Sequence, residues 1–263
     1  MFPSFNILGK EITAYLIMAT IGILVCGFVS IKLAKKNNID ADDMLVTLLI
    51  SGIGLLIGGH LLYGITRIDV FLRLIKHFDK LTSFKQFIEV LTYIFGGQVF
   101  YGGLIGGLLV AHFYIKKKKL DGKFYFDIGA FAIPLFHFFA RIGCFLSGCC
   151  YGVESKIGFT YHHSVVEMAN GVNRFPIQLV ESGYNLIIFI VLITLLNKNK
   201  LKGKLIYLYL LLYPIGRFIF EFFRGDSYRG FIFGLSTSQF ISIILFIFSL
   251  VSLIVIRKKD VSK

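Results

Sequence analysis

The feature that most constrains this chain is a succession of apolar runs, each near twenty residues long, parted by short polar segments. Wound as a helix, a run of that length crosses a hydrocarbon core of roughly 30 Å. The composition agrees. The apolar fraction is 56%, charged residues make up 16% and the mean hydropathy is +0.76. A soluble domain carries about 25% charge. The expected fold is therefore an all-α membrane protein, a single polytopic domain over residues 1–263 with a bundle interior. Seven transmembrane helices are expected, at about 13–33, 44–65, 88–115, 124–146, 176–196, 205–223 and 239–256, with a polar extracytoplasmic segment at 147–175.

A net charge of +13 would suit a nucleic-acid binder. The positives instead cluster in short stretches between apolar runs, as the cytoplasmic bias of basic loops requires, so no nucleic acid is expected as a partner. One side collects Lys32, Lys35 and Lys36, then Lys116, Lys117, Lys118, Lys119 and Lys123. It also receives Lys198, Lys200, Lys202 and Lys204, and finally Arg257, Lys258, Lys259 and Lys263. This places the N-terminus outside and the C-terminus in the cytoplasm. The first residues, MFPSFNILGKEIT, lack a basic n-region, and Lys32, Lys35 and Lys36 follow the first apolar run, so that run is expected to be retained rather than cleaved.

Between the second and third spans the stretch 70–87 sets Phe71, Leu72, Leu74 and Ile75 among Arg73, Lys76 and Lys80, a pattern that suits a helix lying at the interface. The third span is long and interrupted at Gly96 and Gly97 and again at Gly102 and Gly103. Those glycines, with Gly52, Gly54, Gly58, Gly59, Gly106 and Gly107, permit close helix approach, and packing is their ordinary explanation.

Ionisable residues at membrane depth cost about 2.5–3.5 kcal/mol each on insertion scales and are kept where they meet a partner or a polar cavity. Arg141 lies near the end of the fourth span with no acid in its own helix. In the sixth, Tyr213, Arg217 and Glu221 follow i, i+4, i+8 and share a face. A structural Arg217–Glu221 pair, extended by Glu181, would explain them. So would a phosphate site, since guanidinium groups grip phosphate bidentately, and Arg224 stands close by. The phosphate most available to a membrane protein is a lipid headgroup.

Cys144, Cys149 and Cys150 cluster at the end of the fourth span, and Cys26 stands alone in the first. The three permit a disulfide from Cys144, a reactive thiol beside Arg141, or a metal site completed by His162 or His163, whose spacing matches no standard zinc knuckle. His60, His77, His112 and His137 read as core histidines, with His137 one turn before Arg141.

Taken together these residues resemble a bacterial family, the phosphatidylglycerol–prolipoprotein diacylglyceryl transferases. Its signature, Gly-Arg-x-Gly-Asn-Phe-x-Asn-x-Glu-x-x-Gly, falls on 140–152, with Arg141, Gly143, Phe145 and Gly152 in register. Cys144 stands for the asparagine and Cys149 for the acid. A glycine-rich motif matches 96–104 with Tyr101 in the place of its histidine. The segment around Pro176, Gln178, Leu179 and Glu181 matches, and so does the full set Tyr213, Arg217, Glu221, Phe222, Phe223 and Arg224. Gly234, Leu235, Ser236 and Gln239 resemble the opening of the family's last span, and Tyr15 its first-span tyrosine.

The resemblance implies an enzyme of the bacterial inner membrane. It would move the diacylglyceryl group of phosphatidylglycerol onto the lipobox cysteine of a secreted lipoprotein precursor and release glycerol phosphate, with no cofactor and no metal. Arg141 and Arg217 would hold the headgroup, with Glu221 orienting Arg217, and Tyr101, Cys144 and Cys149 beside the chemistry. The lipid-binding set would add Arg224, Tyr15, Tyr213, Gly102, Gly103 and Gly152. The replacements at Tyr101, Cys144 and Cys149 leave two other readings open: the same lipid donor with a different acceptor or the chain's own cysteines, and a lipid-binding protein without catalysis.

Overall fold

The computed structural model describes residues 3–7, 9–76, 83–226, 231–232 and 234–261. The middle of the amphipathic stretch with His77 and Lys80, and the basic residues Arg229 and Lys263, lie outside the described residues. The helices run α1 (Ala14–Lys36), α2 (Ala41–Ile65), α3 (Ile68–Lys76), α4 (Phe84–Phe95), α5 (Phe100–Lys118), α6 (Gly122–Ser147), α7 (Ile177–Asn197), α8 (Leu205–Phe220) and α9 (Thr237–Val261). Among the described residues six stretches, at 14–36, 41–65, 122–147, 177–197, 205–223 and 237–258, are long and apolar enough to cross a bilayer. The number is seven if α4 and α5 count as one broken span. Among the described residues strand is confined to short antiparallel pairs. The chain is an all-α membrane protein.

Side-chain placement is inverted relative to a soluble fold. Leu24, Phe28, Phe113 and Ile187 are exposed, whereas Asp127, Gln178, Glu181, Asn185 and Arg217 are buried. That is the arrangement expected where the surrounding solvent is lipid and polar groups must find partners inside.

The chain divides into two compact units, Ala34–Gly122 and the remainder, Met1–Leu33 with Lys123–Lys263. In the smaller unit, residues 88–115 are not one continuous helix. α4 and α5 meet at a break bent by 89°. Gly96 caps α4, and His60 of α2 sits at the break with Nδ1 2.7 Å from the carbonyl of Phe95 and 2.9 Å from that of Gly97. The side-chain amide of Gln98 lies 3.2 Å from its Nε2. A single polar side chain thus meets carbonyls that the interrupted helix leaves without partners. The amphipathic stretch is likewise divided: α3 ends at Lys76, and α4 starts anew with the Ser83 hydroxyl accepting from the N–H of Gln86.

α2 and α5 pack through their glycines. A Cβ on Gly58 would fall on the Gly102 carbonyl, and one on Gly102 on the Gly58 carbonyl and Leu62. Gly103 packs on Leu55 in the same way. Packing is therefore the structural role of Gly102 and Gly103. Gly58→Val is expected to force the helices apart and cost about 1–3 kcal/mol, the range for overpacking a tight contact, measured by denaturant unfolding in detergent micelles.

In the larger unit α1, α6, α7, α8 and α9 form the body. The buried Asp127 of α6 accepts from the N–H groups of Gly203 and Leu205, so α6 caps the start of α8, whose own N-cap residue supplies no capping bond from its side chain. Tyr184 of α7 donates to the carbonyl of Leu212 at 2.7 Å, and Ser182 to that of Phe138 at 2.9 Å. A small strand-containing cap follows α6. In it β1 (Glu154–Thr160) pairs antiparallel with β2 (Asn173–Arg174) over a core of Tyr151, Tyr161 and Ala169. Arg174 staples this cap. Its guanidinium lies over the Tyr151 ring at 4.2 Å and donates to the carbonyls of Met168, Ala169 and Gly152.

Candidate functional site

Three arginines converge on one buried carboxylate in the larger unit. Arg141 comes from the last turns of α6, Arg217 from the end of α8, and Arg224 from just past the 3₁₀ turn Glu221–Phe223. Their common partner is Glu181 of α7, only 3% exposed. Arg141 Nε lies 2.7 Å from Glu181 Oε2, while Arg217 Nη1 and Arg224 Nη1 lie 3.6 and 4.0 Å from Oε1. Each of the latter two has an acid of its own. Arg217 Nη1 stands 2.7 Å from Glu221 Oε2. Arg224 grips Asp226 with both Nε and Nη2, at 3.1 and 2.7 Å. Arg217 Nη2 further donates to the Ser238 hydroxyl at 3.0 Å.

The local fold explains this convergence. Pro214 lies inside α8, which gives way to a 3₁₀ turn at Glu221, yet the i, i+4 pair of Arg217 and Glu221 survives the change of pitch. Beyond it the backbone of Arg224 bridges that of Gly152. Val153 N–H donates to Phe223 O, and Gly225 N–H to Tyr151 O. A Cβ on Gly152 would strike the Phe175 carbonyl, so only glycine lets the three strands of chain meet here. The segment after α6 is thereby held against Arg224.

Three guanidinium groups face three carboxylates in a largely desolvated space, so the cluster is formally neutral. Arg141 engages through Nε alone among the described contacts. A cavity of about 10 Å³ opens beside it, lined by Arg141, Glu181, Tyr184, Asn185, Tyr213, Arg217 and Phe220. That is space for about one water molecule. A phosphate entering here has to take over guanidinium donors now facing carboxylates, which its geometry allows.

The thiols lie next to this cluster. Cys144, Cys149 and Cys150 are free, and their sulfurs lie within 4.8 Å of one another. Glycine at 148 adopts φ +77° and Cys150 φ +53°, so the chain turns back on itself directly after α6. Gln178 holds the turn by donating to the carbonyl of Cys149 at 2.9 Å. Hydrogen bonds from Cys144 and Cys149, and the charges of Arg224 and Arg141, hold the Cys150 thiol well below its ordinary range against the opposing effect of burial.

Of the residues singled out in the sequence, Arg141, Arg217, Arg224, Glu221, Cys144, Cys149 and Gly152 are drawn into this one region. Tyr213 is buried in the cavity wall between Tyr209 and His137, with ring centroids 5.5 and 5.3 Å away. Tyr15, half-exposed at the start of α1, lies within Coulombic range of Cys144 and Arg141, and its backbone N–H donates to the Ser147 hydroxyl at 3.0 Å. Tyr101 is buried in the first turn of α5, and it belongs with Gly102 and Gly103 to the smaller unit. Asp226 and Ser238 complete the arginine network without having been singled out. Asp226 follows Arg224 at i, i+2, a spacing with no helical meaning, and Ser238 comes from another helix.

The family model described as prolipoprotein diacylglyceryl transferase matches residues 3–255. A phosphatidylglycerol–prolipoprotein diacylglyceryl transferase of Clostridium tetani is 34% identical, over 91% of this chain and 91% of its own. A second so named, from Clostridium perfringens, is 34% identical over 92% of this chain and 90% of its own. One from Clostridioides difficile is 28% identical over 98% and 96%. With nearly its whole length matched, the chain belongs to the prolipoprotein diacylglyceryl transferase family.

Proposed function

We propose that this protein transfers the diacylglyceryl group of phosphatidylglycerol to a cysteine thiol of a lipoprotein precursor, with glycerol phosphate as the leaving product. The observation that carries the reading is the meeting of Arg141, Arg217 and Arg224 at one desolvated point in a chain of this family. The acceptor sulfur forms a bond to the glycerol carbon that bears the phosphate. The carbon–oxygen bond breaks, and its electron pair departs on the phosphate. Charge grows on that oxygen, and guanidinium groups already fixed in place stabilise it most in the transition state. Arg141, with the most donor capacity unspent, takes the phosphate first. Arg217, held between Glu181, Glu221 and Ser238, supplies a second oriented fork.

Glu221 positions Arg217 in this reading, and Tyr15 and Tyr213 shape the cavity. Tyr101 and the packed glycines Gly102 and Gly103 are assigned to the reaction through the family motif at 96–104 alone. The basic ends of α1, α5 and α9 and the lysine-rich α7–α8 loop are assigned to the cytoplasm of a bacterial inner membrane. The arginine site then lies toward the outer face, where a secreted precursor presents its lipobox. A second reading keeps the lipid donor and changes the acceptor, because Cys144 and Cys149 stand where the family carries an asparagine and an acid.

Reconstitution into phosphatidylglycerol vesicles with a lipobox peptide tests both. The expected result is glycerol phosphate release matched by a diacylglyceryl mass gain on the peptide, and none with a Cys→Ser peptide. Release without peptide modification would favour the second reading, and no release would end both.

A further inference from the structure

The acceptor thiol must lose its proton, and the arginine cluster offers no evident base. A cysteine with a pKa of about 8.5 is mostly protonated at neutral pH. Glu181, Glu221 and Asp226 are each committed to arginine ion pairs. The three cysteines beside them are a cluster of reactive groups that the arginine network does not use.

We propose that Cys144, Cys149 and Cys150 form a three-sulfur zinc site whose open fourth position binds the acceptor thiol as a thiolate. The proposal rests on the transferase reading above and supplies its missing activation step. Zinc–sulfur bonds of about 2.3 Å in a tetrahedron set the sulfurs roughly 3.8 Å apart. The three sulfurs here lie within 4.8 Å of one another, so closure onto an ion takes an ångström at most. Thiolates are the soft donors that select zinc over calcium or magnesium. Among the described residues the group consists of these three alone, and His162 and His163 are exposed. Three protein ligands with one position left open is the pattern of catalytic rather than structural zinc. Cys144 is buried while Cys149 and Cys150 are partly exposed, so the site is closed on one side and accessible on the other. Arg141 and Arg224 lie within Coulombic range of Cys150. They offset the net negative charge of zinc bound by three or four thiolates, and they place the phosphate site beside the metal.

The step balances. The peptide thiol gives its proton to water and its sulfur joins the zinc, displacing a bound water; a coordinating thiol is deprotonated outright. That sulfur then forms the carbon–sulfur bond as the carbon–oxygen bond to phosphate breaks. The thioether formed is a weak ligand and leaves, and water returns. Transfer onto one of the enzyme's own cysteines would instead end in a thioether with no tendency to pass the group on. Such a carrier would not turn over.

The test uses the full chain in detergent micelles under reducing conditions, loaded with Zn²⁺ or with Co²⁺ as a spectroscopic probe. The expected result is one tightly held ion per chain, with a sulfur-to-cobalt charge-transfer band. Adding a lipobox peptide shifts that spectrum, and its Cys→Ser counterpart does not. Cys149→Ser and Cys150→Ser, checked for an unchanged melting transition, are expected to weaken metal binding at least about tenfold, as even outer-shell changes at metal sites do. A chain with three reduced thiols that binds neither ion overturns the proposal. So does a cobalt spectrum that ignores the peptide. Metal-free protein releasing glycerol phosphate at the full rate overturns the zinc site and leaves the transferase intact. Release by neither the loaded nor the metal-free form overturns the transferase reading itself.

Discussion

Arg217→Lys is expected to slow diacylglyceryl transfer by about a hundredfold to a thousandfold, the range seen when one preorganised donor to a developing oxyanion is lost. The substitution keeps the positive charge and removes the fork. In the structure Arg217 uses Nη1 toward Glu221 and Glu181 and Nη2 toward the Ser238 hydroxyl, so its plane is set by groups on three different elements. A lysine ammonium is a point charge on a flexible stem and cannot satisfy those partners while facing a phosphate with a fixed pair of donors. The loss should fall mainly on kcat, because the interaction strengthens as charge moves onto the leaving oxygen. Steady-state release of glycerol phosphate from vesicles measures it, with the melting temperature as a control. A rate within a factor of a few of the parent would remove Arg217 from the phosphate site.

Glu181→Ala is expected to be among the most destabilising single changes in the molecule. Glu181 reaches all three arginines. Removing it leaves Arg141 without its 2.7 Å ion-pair partner and leaves three guanidinium charges against two carboxylates in a buried space. Breaking a buried pair by deleting one member costs about 3–5 kcal/mol, because the surviving charge stays desolvated. Glu181→Gln keeps the volume and one acceptor oxygen and should lose less, which separates charge from packing. Denaturant unfolding in micelles reads both. Equal stability of the parent and the alanine variant would show that the arginines do not depend on this shared counterion.

The membrane class of this protein was legible from apolar runs alone, because hydrophobic length is a one-dimensional property. So were Arg141, Arg217 and Glu221, since an ionisable residue inside such a run is costly wherever it points. The i, i+4 relation of Arg217 to Glu221 survived into the fold because it depends on one helix only. What pairs with Arg141 was not legible. Glu181 sits on another helix, and sequence spacing says nothing about which helices face each other. The apolar residues give little directional signal either, since in lipid the outward face is as apolar as the inward one. How sharply the third span breaks was not legible for a related reason. Its glycines marked weakness, but the 89° break depends on His60 of α2 taking up the carbonyls at Phe95 and Gly97.

The sequence by itself therefore determined an all-α membrane chain, the identity of its costly charged residues and, through ordered motifs, its family. Only the tertiary structure decided that three arginines share one glutamate, and that Cys144, Cys149 and Cys150 bring their sulfurs together beside it. Helical periodicity carries information along a single element, whereas a charge cluster or a set of metal ligands is built between elements. There, burial and the need to satisfy every buried polar group choose the partners.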